Sequence, residues 1–353
     1  MAAVLAERWS YERAQKRTAA ALPEWTDQTL TQVAVAWVLS AVFVRVLEDR
    51  GLVAHRRIAG GDATDSERLF YEMFAGLGAR DYLAAVFNEV AHAPVLRDLL
   101  GPSGNPAWKL GPSHAAVLEL FKLLRDADAT GALTWRFDDA DTRFLGDLYQ
   151  DLSAEVRERY ALLQTPDFVE RFILDRTLDP AVAEFGLAAV RVIDPTCGSG
   201  HFLLGSFQRI VGWMREARPA DDLRDVALAA LGRVYGSDIN PYAVAIARFR
   251  LLLAYVELCG VTRIADAPAL PPLTRNVVVA DSLLLGGEGR AAHGRGLGCR
   301  VPGRMGAAAF DFVDPPAVSN VFHQRYHAVV GESAVHRVQR RRAAGDVSEG
   351  VSG

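Results

Sequence analysis

The chain has 353 residues, half of them hydrophobic and 23% charged, the balance of a globular protein with room for two domains. That composition excludes wholesale disorder, a collagen-like repeat and a disulfide scaffold. A net charge of −4, from 39 Lys+Arg against 43 Asp+Glu, argues against a basic nucleic-acid coat protein and leaves room for a local DNA-binding face.

The longest apolar run, Val33 to Val44, is interrupted by Ser40 and is short for a bilayer span. Glu7 and Arg8 stand near the start with no apolar segment and cleavage site behind them, so no secretory signal is expected. Cys197, Cys259 and Cys299 lie far apart and show no metal-ligand spacing. Three cysteines without a signal fit a reducing cytoplasm. The expectation is a cytoplasmic protein with no membrane association and no metal.

In chain order, Thr26 to about Asp49 reads as a strong helix. Thr26 is its expected cap, and Val33, Trp37, Val44 and Leu47 mark its apolar side. Helical stretches follow at Ser66 to Leu77, Ala79 to Leu100 and His114 to Asp126, with a loop at Gly101 to Pro106. The Trp and Phe residues of this region are expected in its core. After Tyr160 short β-rich runs separated by helices take over: Val190 to Ile193, Val234 to Ser237, Val277 to Val279 and Tyr326 to Val330. This is the pattern of a buried parallel sheet. Gly286 to Ala309 is Gly-, Ala- and Arg-rich, as surface loops are. The expected organisation is an all-helical module over 1–140, an α/β part over 141–331 and an unpacked tail over 332–353.

Chemistry concentrates in the α/β part. Asp194-Pro195-Thr196-Cys197-Gly198-Ser199-Gly200-His201-Phe202 joins a short strand to a helical run. Its Gly-x-Gly turn lets a ligand approach backbone N–H groups at a helix N-terminus. It is not the dinucleotide fingerprint, because the third glycine is missing. The next acid at a strand end, Asp238, comes 38 residues beyond Gly200, against roughly twenty in nicotinamide-binding folds. An oxidoreductase is therefore set aside.

Asp238 lies in Gly236-Ser237-Asp238-Ile239-Asn240-Pro241, where Asn240 and Pro241 supply an N-cap and first helical residue. The helix beyond should bury Val244, Leu251, Ala254 and Leu258. A carboxylate at the end of a second strand can accept both ribose hydroxyls of a nucleoside; the plain alternative is a helix-start acid. Asp281, after the run Asn276 to Ala280, can accept from an adenine amino group. Upstream, Gln164-Thr165-Pro166 places a hydroxyl before a helix entered at Pro166, whose plain reading is an N-cap.

The order Gln-Thr-Pro, Asp-Pro-x-Cys-Gly-x-Gly, Ser-Asp-Ile-Asn-Pro, Ala-Asp-Ser-Leu resembles the AdoMet-dependent DNA adenine-N6 methyltransferases. With Phe144-Leu145-Gly146-Asp147-Leu148-Tyr149 and the helical N-terminus, it is most similar to those of BREX phage-defence systems. The resemblance runs from about Trp25 to Gly331 and is specific from Phe144 to Ser282. It implies a Rossmann-like AdoMet-binding sheet, incomplete in this sequence, preceded by the helical module. The cofactor-binding positions it implies are Thr165, Asp194, Pro195, Gly198, Gly200, Asp238, Ile239, Asp281 and Ser282. Among them, Gly198, Gly200, Asp194 and Thr165 would serve the methionine end, Asp238 the ribose and Asp281 the adenine. Cys197 would be a packing residue. Implied partners are double-stranded DNA and other BREX components.

The resemblance breaks at the catalytic box. The family carries Asn-Pro-Pro-Tyr after its fourth strand, for the amino group and ring of a flipped adenine. This sequence has none. Asp314-Pro315-Pro316, after the strand-like Phe310 to Val313, has Ala317 in place of the aromatic and reads as a turn. Tyr326 to Val330, ending at Gly331, is the better fourth strand. The residues after it, Glu332-Ser333-Ala334-Val335-His336-Arg337, can be encoded by nucleotides that read Asn-Pro-Pro-Tyr-Ile one base out of frame. Val338 to Gly353 lacks aromatics and has few apolar residues. The expectation is a frameshift-truncated, inactive piece of a longer adenine-N6 methyltransferase; codons for Glu332 to His336 that cannot give the box would end that idea. The alternatives are a non-catalytic AdoMet- or partner-binding protein, and, for Arg337 to Arg342, a DNA-contacting tail.

Overall fold

A computed structural model describes residues 2–14, 18–102, 105–108, 110–138, 141–152, 165–267, 273–282 and 315–331. The expected loop at 286–309, the strand-like 310–313, the shifted-frame segment 332–337 and the tail 338–353 lie outside them.

The N-terminal part is helical: α1 (Ala2–Ala14), α2 (Leu22–Asp49), α3 (Ala63–Met73), α4 (Ala79–Ala91), the short α5 (Arg97–Leu100) and α6 (His114–Leu124). Two expectations are corrected by these helices. Helix α2 starts a turn before Thr26, with Ala21 at the N-cap and Pro23 in the first turn, where a missing N–H costs nothing. The run Ala79 to Leu100 is not one helix. It stops at Ala91, and Pro94 opens a separate 3₁₀ turn leading to α5.

Val33, Trp37, Val44 and Leu47 are buried as expected, but from Ser40 to Glu48 every residue of α2 is buried. It is a central helix rather than a one-sided one. At 28 residues, with an 18-residue window of mean hydropathy 1.9, it is also long and apolar enough to cross a membrane, contrary to the expectation from the shorter run. Of that window 72% is buried within the protein itself. Its polar residues are matched inside. Arg45 reaches Asp49 through Nη1–Oδ1 at 2.9 Å and Nη2–Oδ2 at 2.8 Å, and Glu48 accepts from the N–H groups of Arg57 and Ile58.

The rest is α/β. After α7 (Phe144–Leu152) and α8 (Asp167–Phe185) come β1 (Val192–Asp194), α9 (His201–Ala217), α10 (Leu223–Leu231), β2 (Val234–Asp238), α11 (Pro241–Leu258), β3 (Val277–Val279), α12 (Pro315–Phe322) and β4 (Ala328–Val329). The four strands form one sheet in the order β3-β2-β1-β4, every pairing parallel. Strands this short read as Val-rich runs because both faces are covered. On one face Val192, Val234, Val277 and Val279 join the main core. On the other, Ile193, Tyr235, Val278 and Ala280 pack with Ala317, Val318 and Val321 of α12. Pro315-Pro316 thus opens a packing helix, correcting the expected turn.

The main core runs without a break from the N-terminal helices into this part. Phe43 stacks on Phe249 at 4.2 Å, and the Tyr242 hydroxyl donates to the Gln32 carbonyl at 2.7 Å.

Candidate functional site

The carboxyl ends of β1 and β2 meet the turn that starts α9. Strand β1 ends at Asp194, which is 1% exposed. Its Oδ1 accepts from the Thr196 N–H at 3.0 Å, bracing the turn after the strand. Burial, helped by the nearby Asp238 charge, pushes its carboxyl up to about 7 against the pull of the Thr196 hydrogen bonds.

The turn itself depends on glycine. Gly198 has φ +51° and Gly200, at the N-cap of α9, has φ +84°. A Cβ on Gly200 would lie 2.7 Å from the Ala247 Cβ, so α11 packs directly against the turn. A Cβ on Gly198 would meet nothing within 4 Å: this part of the turn borders open space.

Asp238, partly exposed at the end of β2, clamps that turn. Its Oδ2 accepts from the Gly198 N–H at 2.9 Å and its Oδ1 from the Asn240 N–H at 2.8 Å. Burial raises its pKa, and these backbone hydrogen bonds lower it. A carboxylate has about four lone-pair positions, so acceptor capacity remains for a ligand. Asn240 caps α11 as expected, accepting from Tyr242 and Ala243 N–H with Pro241 following. Val244 and Leu251 are fully buried, and Ala254 and Leu258 half-buried. Ile239, between the clamp and the cap, is 43% exposed.

Pro195 contributes its carbonyl, which accepts from the Ser237 hydroxyl at 3.1 Å and from the Ser282 hydroxyl. The ends of β1, β2 and β3 are thereby tied into one rim, on which Asp281 also lies. Thr165 stands further off in sequence, just before α8, a helix packed on α9. Pro166 rather than Thr165 occupies the N-cap of α8, which corrects the capping reading by one residue. Cys197 is 4% exposed beneath Gly236, and burial pushes its thiol well above the ordinary range, as suits a packing residue.

Sequence reasoning missed several members of this region. Ser237 stands out in the sequence only as part of a motif, and its role rests on a contact 42 residues away. Arg250 on α11 is 2% exposed, with Nη1 donating to the Ser199 carbonyl at 2.9 Å and Nε to the Thr142 hydroxyl at 3.1 Å. Asp167, Glu170 and His201 each bring a ligand atom within 4.8 Å of the others, the grouping a metal would need. Within the group Glu170 Oε2 lies 2.7 Å from His201 Nε2, and Asp167 also pairs with Arg143 outside it.

The adenine-specific methyltransferase PglX of Streptomyces coelicolor is 45% identical to this chain over 298 residues. The chain is a homologue of PglX. The match takes in 80% of the chain but only 24% of PglX, so the chain spans about a quarter of that relative's length. A putative type II restriction enzyme and methyltransferase of Methanocaldococcus jannaschii, RM.MjaORFECS2P, is 34% identical over 106 residues, 28% of the chain and 9% of that protein. No protein-family model matches. Among solved structures, a nuclease-deletion mutant of the Type ISP restriction-modification enzyme LlaGI, in complex with a DNA substrate mimic, aligns at 15% identity and TM-score 0.37. That alignment covers 74% of this chain and 21% of the other. A DrdV–DNA complex aligns at 17% identity and TM-score 0.38, over 80% and 26% respectively.

Proposed function

We propose that this chain carries the methyl-donor pocket of a DNA adenine-N6 methyltransferase of a PglX-type phage-defence system. The observation that carries the reading is the rim at the strand ends: a braced glycine turn at a helix N-terminus beside Asp238, with Asp281 one strand further on. Its strand order, β3-β2-β1-β4, matches the first four strands in chain order of a Rossmann-like doubly wound sheet, 3-2-1-4-5-6. In such sheets ligands sit at the carboxyl ends of the strands, where the order reverses between β1 and β4.

The donor set suits AdoMet. The turn and the first N–H groups of α9 present positive partial charge to a carboxylate, and Gly198 leaves open space beside them. The remaining lone pairs of Asp238 can accept from ribose hydroxyls. Exposed Ile239 offers apolar area to a purine, and Asp281 can accept from its amino group. In this reading Pro195 and Ser282 hold the rim together, Asp194 supports the turn from below, and Thr165 closes over the methionine end. Bound AdoMet supplies an electrophilic methyl group on sulfonium; these residues bind and orient it.

The target base is another matter. The sequence holds no Asn-Pro-Pro-Tyr box, so this chain binds the donor and does not by itself activate an adenine. Double-stranded DNA and other defence-system components are partners of the longer protein in this reading, which acts in the cytoplasm. Two measurements test it. Calorimetric titration with AdoMet should give saturable heat that S-adenosylhomocysteine competes away, and an assay on adenine-containing duplex DNA should show no methyl transfer. A folded chain giving no saturable heat overturns the pocket; turnover overturns the division of labour.

A further inference from the structure

Arg250 is difficult to explain by stability. Its side chain is almost fully buried, and burial lowers its pKa to about 10, so it stays charged at neutral pH. Taking a guanidinium out of water costs more than a few hydrogen bonds return, and an apolar side chain of similar size often serves stability as well or better. Two of its hydrogen bonds go to the Ser199 carbonyl and the Thr142 hydroxyl. Its Nη2 has no hydrogen-bond partner among the described residues.

What it does hold is specific. Ser199 is the middle residue of Gly198-Ser199-Gly200. On α11, Ala247 and Arg250 are three residues apart and so share a face. Ala247 packs against Gly200, and Arg250 grips the residue before it. The opposite side of the same turn is held by Asp238, through the Gly198 N–H. The turn is thus fixed from two sides, by an anion on an N–H and by a cation on a carbonyl. The second clamp also reaches Thr142, two residues before α7, the helix that joins the N-terminal part to the sheet.

We propose that Arg250 is a positioning residue that fixes the glycine turn of the methyl-donor pocket and couples it to the start of α7. It touches no ligand; it sets the backbone N–H groups that a ligand would use. The proposal rests on the AdoMet reading for its functional consequence, but the clamp itself can be tested without ligand.

The experiment compares the full chain with Arg250→Met and Arg250→Lys by hydrogen-exchange mass spectrometry, and then by AdoMet calorimetry. In Arg250→Met, exchange over residues 196–203 should rise about tenfold, while β2 and α2 keep their protection; a lost charge-assisted hydrogen bond is of that order. Arg250→Lys should fall between, because an ammonium can reach one of the two acceptors. AdoMet affinity should follow the same order. Unchanged exchange over 196–203 in either variant overturns the proposal, as does acceleration spread evenly through the chain. If Arg250→Met does not fold, the lysine variant decides by the same criterion. Wild-type protein that binds no AdoMet would sink the pocket reading and leave the exchange result to judge the clamp.

Discussion

In the helical part, Glu48 and Asp49 lie at the end of α2 within reach of Arg45 and Arg56. Asp49 takes both arms of Arg45 and one of Arg56 at 2.8 Å. At the sheet, Asp194 and Asp238 are held by backbone N–H groups and the Thr196 hydroxyl, with no ion pair to either among the described residues. The first arrangement is complete: it closes the loop after α2 and asks nothing of a ligand. The second leaves two carboxylates at the strand ends without an arginine; burial raises the pKa of both, as it does that of Glu48. Asp49 is matched by two arginines, whereas Asp194 and Asp238 are matched by the backbone of the turn they brace; in the proposed reading that rim is where the methyl donor binds.

Substitutions that treat the two places alike should separate them. The largest effect belongs to Arg45→Met, which removes the cation shared by Glu48 and Asp49, leaves Asp49 with Arg56 and Glu48 with the Arg57 and Ile58 N–H groups, and should cost about 3 kcal/mol of stability by denaturant unfolding. A loss within experimental error would remove the first half of the contrast. Gly200→Ala comes next. It forces a side chain into left-handed backbone and against Ala247, for about 2 kcal/mol and a displaced turn. Full AdoMet binding by that variant would mean the turn is not part of the pocket.

Asp194 gives a pH signature. Its carboxyl stands at about 7 in the folded chain, against roughly 4 when unfolded. The folded protein therefore holds a proton that the unfolded chain releases. The resulting stability is fully present below the unfolded value and is lost as pH rises through 7. Asp194→Asn, which keeps an acceptor for Thr196, should flatten the fall in melting temperature between about pH 5 and 7.5. An unchanged slope would place the titration elsewhere. The smallest effect concerns Cys197. Iodoacetamide on native protein, read by peptide mass spectrometry, should label the half-buried Cys259 well before Cys197. The reverse order would contradict its packing role.

The motifs that mark the sheet are legible in the sequence because their local form is set by neighbouring residues, even where, as with Asp238 and Gly198, they then meet across the chain. A strand-ending acid, a glycine turn and an Asn-Pro cap occupy neighbouring residues, and the structure puts Asp238, Asn240 and Gly200 where their order implies. Contacts made across the chain leave no such trace. Arg250 sits mid-helix in Ala-Arg-Phe-Arg-Leu and reads as one arginine among several until Ser199 is seen beside it. Periodicity makes helix α2 look one-sided, because it reports the strongest face and not how many neighbours surround the helix. The break at Pro94 is visible in the sequence but is outweighed by the apolar pattern around it.

Whether Asp238 still has something to offer once it has clamped the turn decides what the rim at the strand ends is for. Calorimetry of AdoMet binding to the wild-type chain and to Asp238→Asn, at one pH, asks this directly. The expected result is saturable binding to the wild type and an affinity about ten- to a hundredfold weaker in the variant, whose melting temperature also falls because an amide offers one acceptor where the Gly198 and Asn240 N–H groups use two. Equal affinities, or no binding by folded wild-type protein, would contradict it.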